Sequence, residues 1–115
     1  MMANTTALRP EIRHYAEEAM VTMSKRYFVE VWRGVTRALH ADPSYRVPVP
    51  FLLTHGEHDR TGNIARTAPA WAARETHCQY HVVPNAAHNA NQDNPEFLNR
   101  VLLQFLEDCY PAGDA

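Results

Sequence analysis

The chain has 115 residues and a formal net charge of −2, so it is long enough for one domain and lacks the strong positive charge that binds nucleic acid. Hydrophobic residues make up 45% and charged residues 21%, a balance that excludes wholesale disorder. No apolar run approaches the roughly 20 residues of a membrane-spanning helix, so no membrane partner is expected. The sequence shows no apolar signal core and only two cysteines, which favours a cytoplasmic location.

Two amphipathic helices are predicted in the first forty residues. Pro10 suits the first position of the first helix, and apolar residues then recur at helical spacing. The apolar stripe of the second helix consists of Phe28, Val31, Trp32, Val35 and Leu39. We expect Ser24 to lie inside this helical stretch, and each stripe to face either the core or a partner.

A parallel α/β unit is predicted after these helices. Prolines lead into the apolar residues 51–53, which predict a strand buried on both faces and ended by Gly56. A helix that begins or bends at Pro69 follows, then a second strand at residues 80–84 and a last helix that starts at Asn94-Pro95. Strands that alternate with helices pair in parallel, and functional groups collect at their carboxyl ends.

Polar loops follow both predicted strands at the carboxyl edge of the sheet. Asp59 lies in the first loop and His88 in the second, so we expect them to meet. A carboxylate beside an imidazole fixes the tautomer of the ring and stabilises the imidazolium. The acid of a catalytic triad acts on the histidine base in this way. Glu57 competes with Asp59 for the role of the acid. Polar residues of the second loop are expected to bond the backbone, namely Asn89, Asn91 and Asp93.

Two segments resemble the α/β-hydrolase fold family. Residues 49–59, V-P-F-L-L-T-H-G-E-H-D, resemble its penultimate strand and acid loop, and residues 84–95, P-N-A-A-H-N-A-N-Q-D-N-P, resemble its histidine loop. The resemblance implies a cofactor-independent hydrolase of esters or related bonds, with Asp59 as triad acid and His88 as triad base. It also divides the chain into a lid-like helical segment (residues 1–45) and the C-terminal part of the core (46–110). Pro111 and Gly113 predict a disordered tail at residues 111–115.

The nucleophile of that family has no counterpart in this chain. The family carries it in a Gly-x-Ser-x-Gly turn, but neither Ser24 nor Ser44 has a glycine two residues away on either side. Cys78 and Cys109 also lack flanking glycines. We therefore expect a truncated hydrolase that is inactive on a small-molecule substrate unless the missing half is supplied.

Two other classes of function stay open. A two-stranded sheet with unpaired edges favours a noncatalytic protein that associates with itself or with another chain. The motifs H-x-x-H-D (residues 55–59) and H-C-x-x-H (77–81) contain residue types that bind zinc, which makes a small zinc-binding domain a third class. Their positions in a loop and at a strand suit a tetrahedral site poorly, so no metal ligand is expected.

Overall fold

The computed structural model describes residues 6–111. Its elements in chain order are α1 (Pro10–Thr22), α2 (Lys25–Ala38), β1 (Phe51–Gly56), α3 (Ile64–Arg74), β2 (Cys78–Val83), α4 (Ala90–Asp93) and α5 (Pro95–Cys109). Residues 1–5 of the predicted helical segment and residues 112–115 of the predicted tail lie outside the described residues. Between residues 6 and 111, no helix has the length and apolar character needed to cross a bilayer.

The two strands form the parallel sheet that the sequence predicts. β1 pairs with β2 in parallel, with Phe51 opposite Cys78 and Gly56 opposite Val83. The crossover helix α3 packs against both strands, and α5 packs against β2. β2 begins at Cys78 rather than at Tyr80, because the ladder with β1 already starts opposite Phe51.

The prediction that the first strand is buried on both faces is wrong. Residues 51–54 are only partly buried, and only His55 and Gly56 of this strand are buried. The described sheet has two strands, so β1 has a neighbour on one side only. Trp71 of α3 covers part of the strand, with its ring centroid 5.8 Å from that of Phe51.

Helix α3 continues through Pro69. Of the two predicted alternatives, a helix that begins at this proline is therefore wrong. Proline removes one backbone N–H and with it the bond to the carbonyl four residues earlier. Ala68, the residue before the proline, is buried, and the helix packs against both strands. The helix therefore starts at Ile64, five residues before the proline.

The core lies beneath the loop that follows β2. It consists of Val83, Ala86 and Ala90, with Phe97 and Leu98 of α5 packed against it. Among residues 6–111, Val83 is the largest side chain that is fully buried, so this core is small. It nevertheless fixes the end of β2, the loop after it and the start of α5 relative to one another.

The N-terminal segment forms two separate helices. Ser24 is the N-cap of α2, where its hydroxyl accepts a hydrogen bond from the Tyr27 amide at 3.3 Å, so the prediction that Ser24 lies inside a helix is wrong. No residue of α2 is buried. Trp32, whose stripe is expected to face the core or a partner, is 46% exposed and contacts the ring of Phe28 on the same helix. The apolar stripe of α2 therefore faces no core within the described chain.

Candidate functional site

The loops after β1 and β2 are joined to each other at the carboxyl edge of the sheet. The Glu57 amide donates to the Val83 carbonyl and the His58 amide donates to the Ala86 carbonyl, both at 2.8 Å. These bonds continue the strand pairing beyond the ends of the strands. Asn85 turns the second loop with a φ of 52°, a conformation that asparagine tolerates well.

Asp59 and His88 meet at this edge, as the parallel strands predict. The Nδ1 atom of His88 lies 3.0 Å from Oδ2 of Asp59. The side chain of Asp59 is only 3% exposed, whereas that of His88 is 43% exposed. Because an ionised carboxylate only accepts hydrogen bonds, Nδ1 carries the proton and the neutral ring leaves Nε2 as its basic nitrogen.

The Asp59 carboxylate is held in its charged form. Its second oxygen accepts a hydrogen bond from the Thr61 amide at 2.8 Å. Burial raises the pKa of Asp59, but the hydrogen bonds from His88 and Thr61 outweigh it and leave the pKa below its ordinary value. Asp59 is therefore a carboxylate at neutral pH and can stabilise a positive charge on His88.

Glu57, the competing acid, does not contact His88. Its side chain is about half exposed, and its carboxylate accepts the Asn85 amide at 3.0 Å and lies 3.6 Å from Nε2 of His58. Of the two acids in the first loop, Asp59 is the one that the structure brings to His88.

A cavity of about 180 Å³ opens beside the Asp59–His88 pair. Its lining contains both polar and apolar side chains: Thr54, His55, Asp59, Ile64, His88, Ala90, Asn91 and Leu98. The volume suits a small group rather than a whole drug-sized ligand. A reacting group placed here would be next to the exposed imidazole.

His55 is a second imidazole in this cavity wall and, unlike His88, it is buried. The sequence did not single it out as part of the Asp59–His88 site. Its Nδ1 lies 2.8 Å from the Gly56 carbonyl oxygen and its Nε2 lies 2.6 Å from the Tyr80 hydroxyl. Both ring nitrogens are therefore already occupied. Among residues 6–111, no three His, Cys, Asp or Glu side chains are grouped so that they could hold a metal ion.

The His55–Tyr80 pair could have been found from the strand register. Tyr80 is paired with Leu53 in the neighbouring strand, and side chains two positions apart on a strand share a face. His55 therefore lies on the same face of the sheet as Tyr80. Because side chains alternate between the two faces of a sheet, the register of the two strands is enough to place His55 and Tyr80 on one face.

Asp93 bonds the backbone, as predicted for this loop, but with unexpected partners. Its carboxylate accepts hydrogen bonds from the amides of Leu8, Arg9 and Ala87 at 2.9–3.0 Å. Burial raises the pKa of Asp93, and these amide hydrogen bonds outweigh it, so the pKa lies below its ordinary value. Nothing in the sequence pattern links Asp93 to residues more than eighty positions earlier.

The two thiols lie away from the Asp59–His88 pair. Cys78 and Cys109 are free and half-buried, and they line a second cavity of about 410 Å³ with Pro50 and His77. Cys78 is the first residue of β2, at the opposite end of the strand from the loop that carries His88. Burial raises the pKa of the Cys78 thiol, which makes it a poor nucleophile at neutral pH.

Comparison with known proteins finds two partial relatives. Over 58 residues the chain is 41% identical to the 2-succinyl-6-hydroxy-2,4-cyclohexadiene-1-carboxylate synthase of Enterobacter sp. strain 638. This alignment covers 50% of this chain and 19% of the synthase. Over 62 residues it is 32% identical to a putative non-heme chloroperoxidase of Synechocystis sp. strain PCC 6803, covering 54% of this chain and 22% of that protein. Both names are those of α/β-hydrolase-fold enzymes.

The chain spans about a fifth of the length of these curated relatives. No protein-family profile matches the chain. No solved structure matches it either. The two matches support, at the coarsest level, a relationship to hydrolase-type enzymes.

Proposed function

We propose that this chain forms the C-terminal part of an α/β-hydrolase-type enzyme, in which His88 is the general base and Asp59 the acid that orients it. The observation that carries the proposal is the 3.0 Å contact between His88 Nδ1 and Asp59 Oδ2, made by a buried carboxylate and an exposed imidazole. The partial similarity to two enzymes of that fold supports the same reading. The bond cleaved would be an ester or a related bond.

The chemistry follows from the tautomer. With Nδ1–H held by Asp59, Nε2 takes the proton of a hydroxyl, thiol or water as that group attacks the substrate carbonyl carbon. Asp59 stabilises the imidazolium that forms, and Nε2 then returns the proton to the leaving group as the carbonyl–oxygen bond breaks. A water molecule activated in the same way at Nε2 completes the hydrolysis.

The nucleophile in this proposal comes from another part of the enzyme. Ser24 caps α2, and the Ser44 hydroxyl donates to Asp42 at 2.6 Å in an exposed turn. Cys78 lies at the far end of its strand. None of these groups lines the cavity beside the imidazole, so we expect the isolated chain to show no turnover on activated esters.

The names of the relatives do not assign a substrate. One relative is a carboxylate synthase and the other a putative chloroperoxidase, so their reactions differ. We do not assign either reaction to this chain. For this chain the proposal is confined to the acid–base pair and to the hydrolytic chemistry that such a pair supports.

A chimera tests the proposal. The segment of the Synechocystis protein that aligns with this chain is replaced by residues 46–110, and hydrolysis of an activated ester is measured. We expect turnover that His88→Ala lowers by a factor on the order of 10⁴ or more and that Asp59→Asn lowers by about 10⁴. His58→Ala is the matched control, because His58 is exposed in the same pair of loops and does not contact His88.

The control should keep turnover within about threefold of the chimera, since only an exposed side chain is lost. Turnover that survives His88→Ala would contradict the proposal. So would a folded chimera without any activity. Turnover by the isolated chain that does not depend on His88 would also assign the chemistry to another group.

A second function is favoured by one specific observation, the uncovered apolar stripe of α2. Val31 and Trp32 are 55% and 46% exposed, and β1 has an unpaired edge in the described sheet. Both features suit a noncatalytic protein that associates with itself. Sedimentation velocity over a range of micromolar concentrations tests this, and a monomer at all concentrations would exclude it.

A further inference from the structure

We infer that Asp93 is a positioning residue that couples the N-terminal strap, residues 6–9, to the loop that carries His88. The role of His88 as a base rests on the proposed function. The coupling itself does not, because it concerns only which backbone segments one carboxylate holds together.

The geometry places one buried carboxylate between two distant segments. On the N-terminal side, Asp93 accepts the amide of Leu8 at 2.9 Å and that of Arg9 at 3.0 Å. On the loop side, it accepts the amide of Ala87 at 2.9 Å. Asp93 is 8% exposed, so water cannot readily replace any of these donors.

Further contacts join the same two segments. The Asn89 amide donates to the Thr6 carbonyl at 2.6 Å, and the Arg9 guanidinium donates to the Gln92 carbonyl at 3.4 Å. Ala7 is 1% exposed and Ala87 is 3% exposed. The strap is therefore docked on the histidine loop, with the Asp93 carboxylate at the centre of the contact.

The position of Asp93 gives this docking a consequence for His88. Ala87 directly precedes His88, and Arg9 directly precedes Pro10, where α1 begins. One carboxylate thus fixes the residue before the imidazole and the residue before the first helix. A shift of α1 is transmitted through the strap to the loop, and the His88–Asp59 hydrogen bond depends on where that loop lies.

Asp93 does not touch Asp59 or His88 through its side chain, so its role is to orient the base and not to react. Asparagine at this position keeps the size but loses the charge and one acceptor oxygen. Hydrogen bonds from amides to a charged acceptor are about twice as strong as neutral ones. Asp93→Asn should therefore loosen both segments together.

The test is amide hydrogen exchange and NMR of the full chain. In Asp93→Asn we expect the amides of Leu8, Arg9 and Ala87 to exchange about tenfold faster or more. We also expect the Nδ1 proton signal of His88 to weaken or disappear. Asp108→Asn is the matched control, because Asp108 is an exposed, hydrogen-bonded carboxylate of α5, and it should leave all four signals unchanged.

Three results in Asp93→Asn would overturn the inference. In the first, the amides of Leu8 and Arg9 exchange faster while Ala87 and the His88 proton stay as they are, which makes Asp93 an anchor of the strap alone. In the second, none of the signals changes. An effect on Ala87 and His88 with no effect on the strap would contradict the coupling as well.

A second variant covers the case in which Asp93→Asn does not fold. Leu8→Pro removes one donor on the strap side and leaves Asp93 and the loop intact. The coupling requires faster exchange at Ala87 in this variant, and unchanged exchange there overturns it. The chimera with His88→Ala tests the proposed function separately, because activity that survives that change contradicts the base role without altering amide exchange.

Discussion

Gly56, the last residue of β1, lies directly against Ala87, the residue before His88. A Cβ atom at position 56 would come within 2.1 Å of the Ala87 carbonyl oxygen and within 2.4 Å of the Ala86 carbonyl oxygen. Both are backbone atoms, which cannot rotate away as the end of a flexible side chain can. The close approach of the histidine loop to β1 therefore requires glycine at this position.

Gly56→Ala should destabilise the fold and displace the histidine loop. Forcing a methyl group into this contact should lower the free energy of unfolding by about 2 kcal/mol or more. Urea unfolding followed by circular dichroism measures the change. Gly34→Ala is the control, because a Cβ at Gly34 meets nothing within 4 Å. In the interior of α2 that change should stabilise the chain by about 0.5–1 kcal/mol, and a loss of similar size in both variants would contradict the steric argument.

Asp59 should make the stability of the chain depend on acid pH. Burial raises its pKa, but the hydrogen bonds from His88 and Thr61 outweigh this and hold the folded-state pKa below the ordinary value. Its stabilising contribution is therefore fully present above the unfolded-state pKa of about 3.9 and is lost as pH falls through the lower folded-state pKa.

Asp59→Asn should consequently flatten the loss of stability on acidification. Urea unfolding at several pH values between about 6 and about 3 measures the slope. Glu107→Gln, at an exposed position of α5, is the control and should keep the slope of the unchanged chain. An unchanged slope in Asp59→Asn would show that the His88–Asp59 contact does not stabilise the fold.

The pairing of Asp59 with His88 could be predicted because it depends only on the order of elements. Strand–helix–strand connections give parallel strands, and parallel strands bring the loops at their carboxyl ends to one edge. The caps were equally local: Asn94 caps α5 where the Asn-Pro pair predicts it. The order of the elements and the cap of α5 therefore carried over from the sequence into the structure.

Burial and long-range contacts could not be predicted in the same way. The spacing in α2 identifies an apolar stripe but does not tell what covers it, and Val31 is in fact 55% exposed. The bonds from Leu8 and Arg9 to Asp93 join residues 85 and 84 positions apart. Such contacts depend on how whole elements are arranged, which no local pattern encodes.

Asn94→Ala should weaken the start of α5 and its link to β2. The Asn94 side chain accepts the Phe97 amide at 3.2 Å and donates to the Pro84 carbonyl at 2.9 Å. Loss of an N-cap costs about 1 kcal/mol, and loss of the second bond should add to it. Thermal or urea unfolding measures the difference. Ser24→Ala is the comparison, since Ser24 makes only the cap bond at exposed α2; a larger cost there than at Asn94 would contradict this account.

Tyr80→Phe should be destabilising although it removes a single oxygen atom. The Gly56 carbonyl can only accept a hydrogen bond, so Nδ1 of His55 carries the proton and Nε2 accepts the Tyr80 hydroxyl at 2.6 Å. His55 is 7% exposed, so phenylalanine at position 80 leaves a buried acceptor without its donor. The expected loss is about 1–3 kcal/mol in the free energy of unfolding, measured by urea titration.

Tyr110→Phe is the matched control for this change, because Tyr110 is 79% exposed and its hydroxyl can bond to water in either state. It should alter the free energy of unfolding by less than about 0.5 kcal/mol. Equal effects of the two changes would mean that water or another donor reaches Nε2 of His55. The hydrogen bond from the Tyr80 hydroxyl would then not be what holds His55 in one orientation beside the cavity of Asp59 and His88.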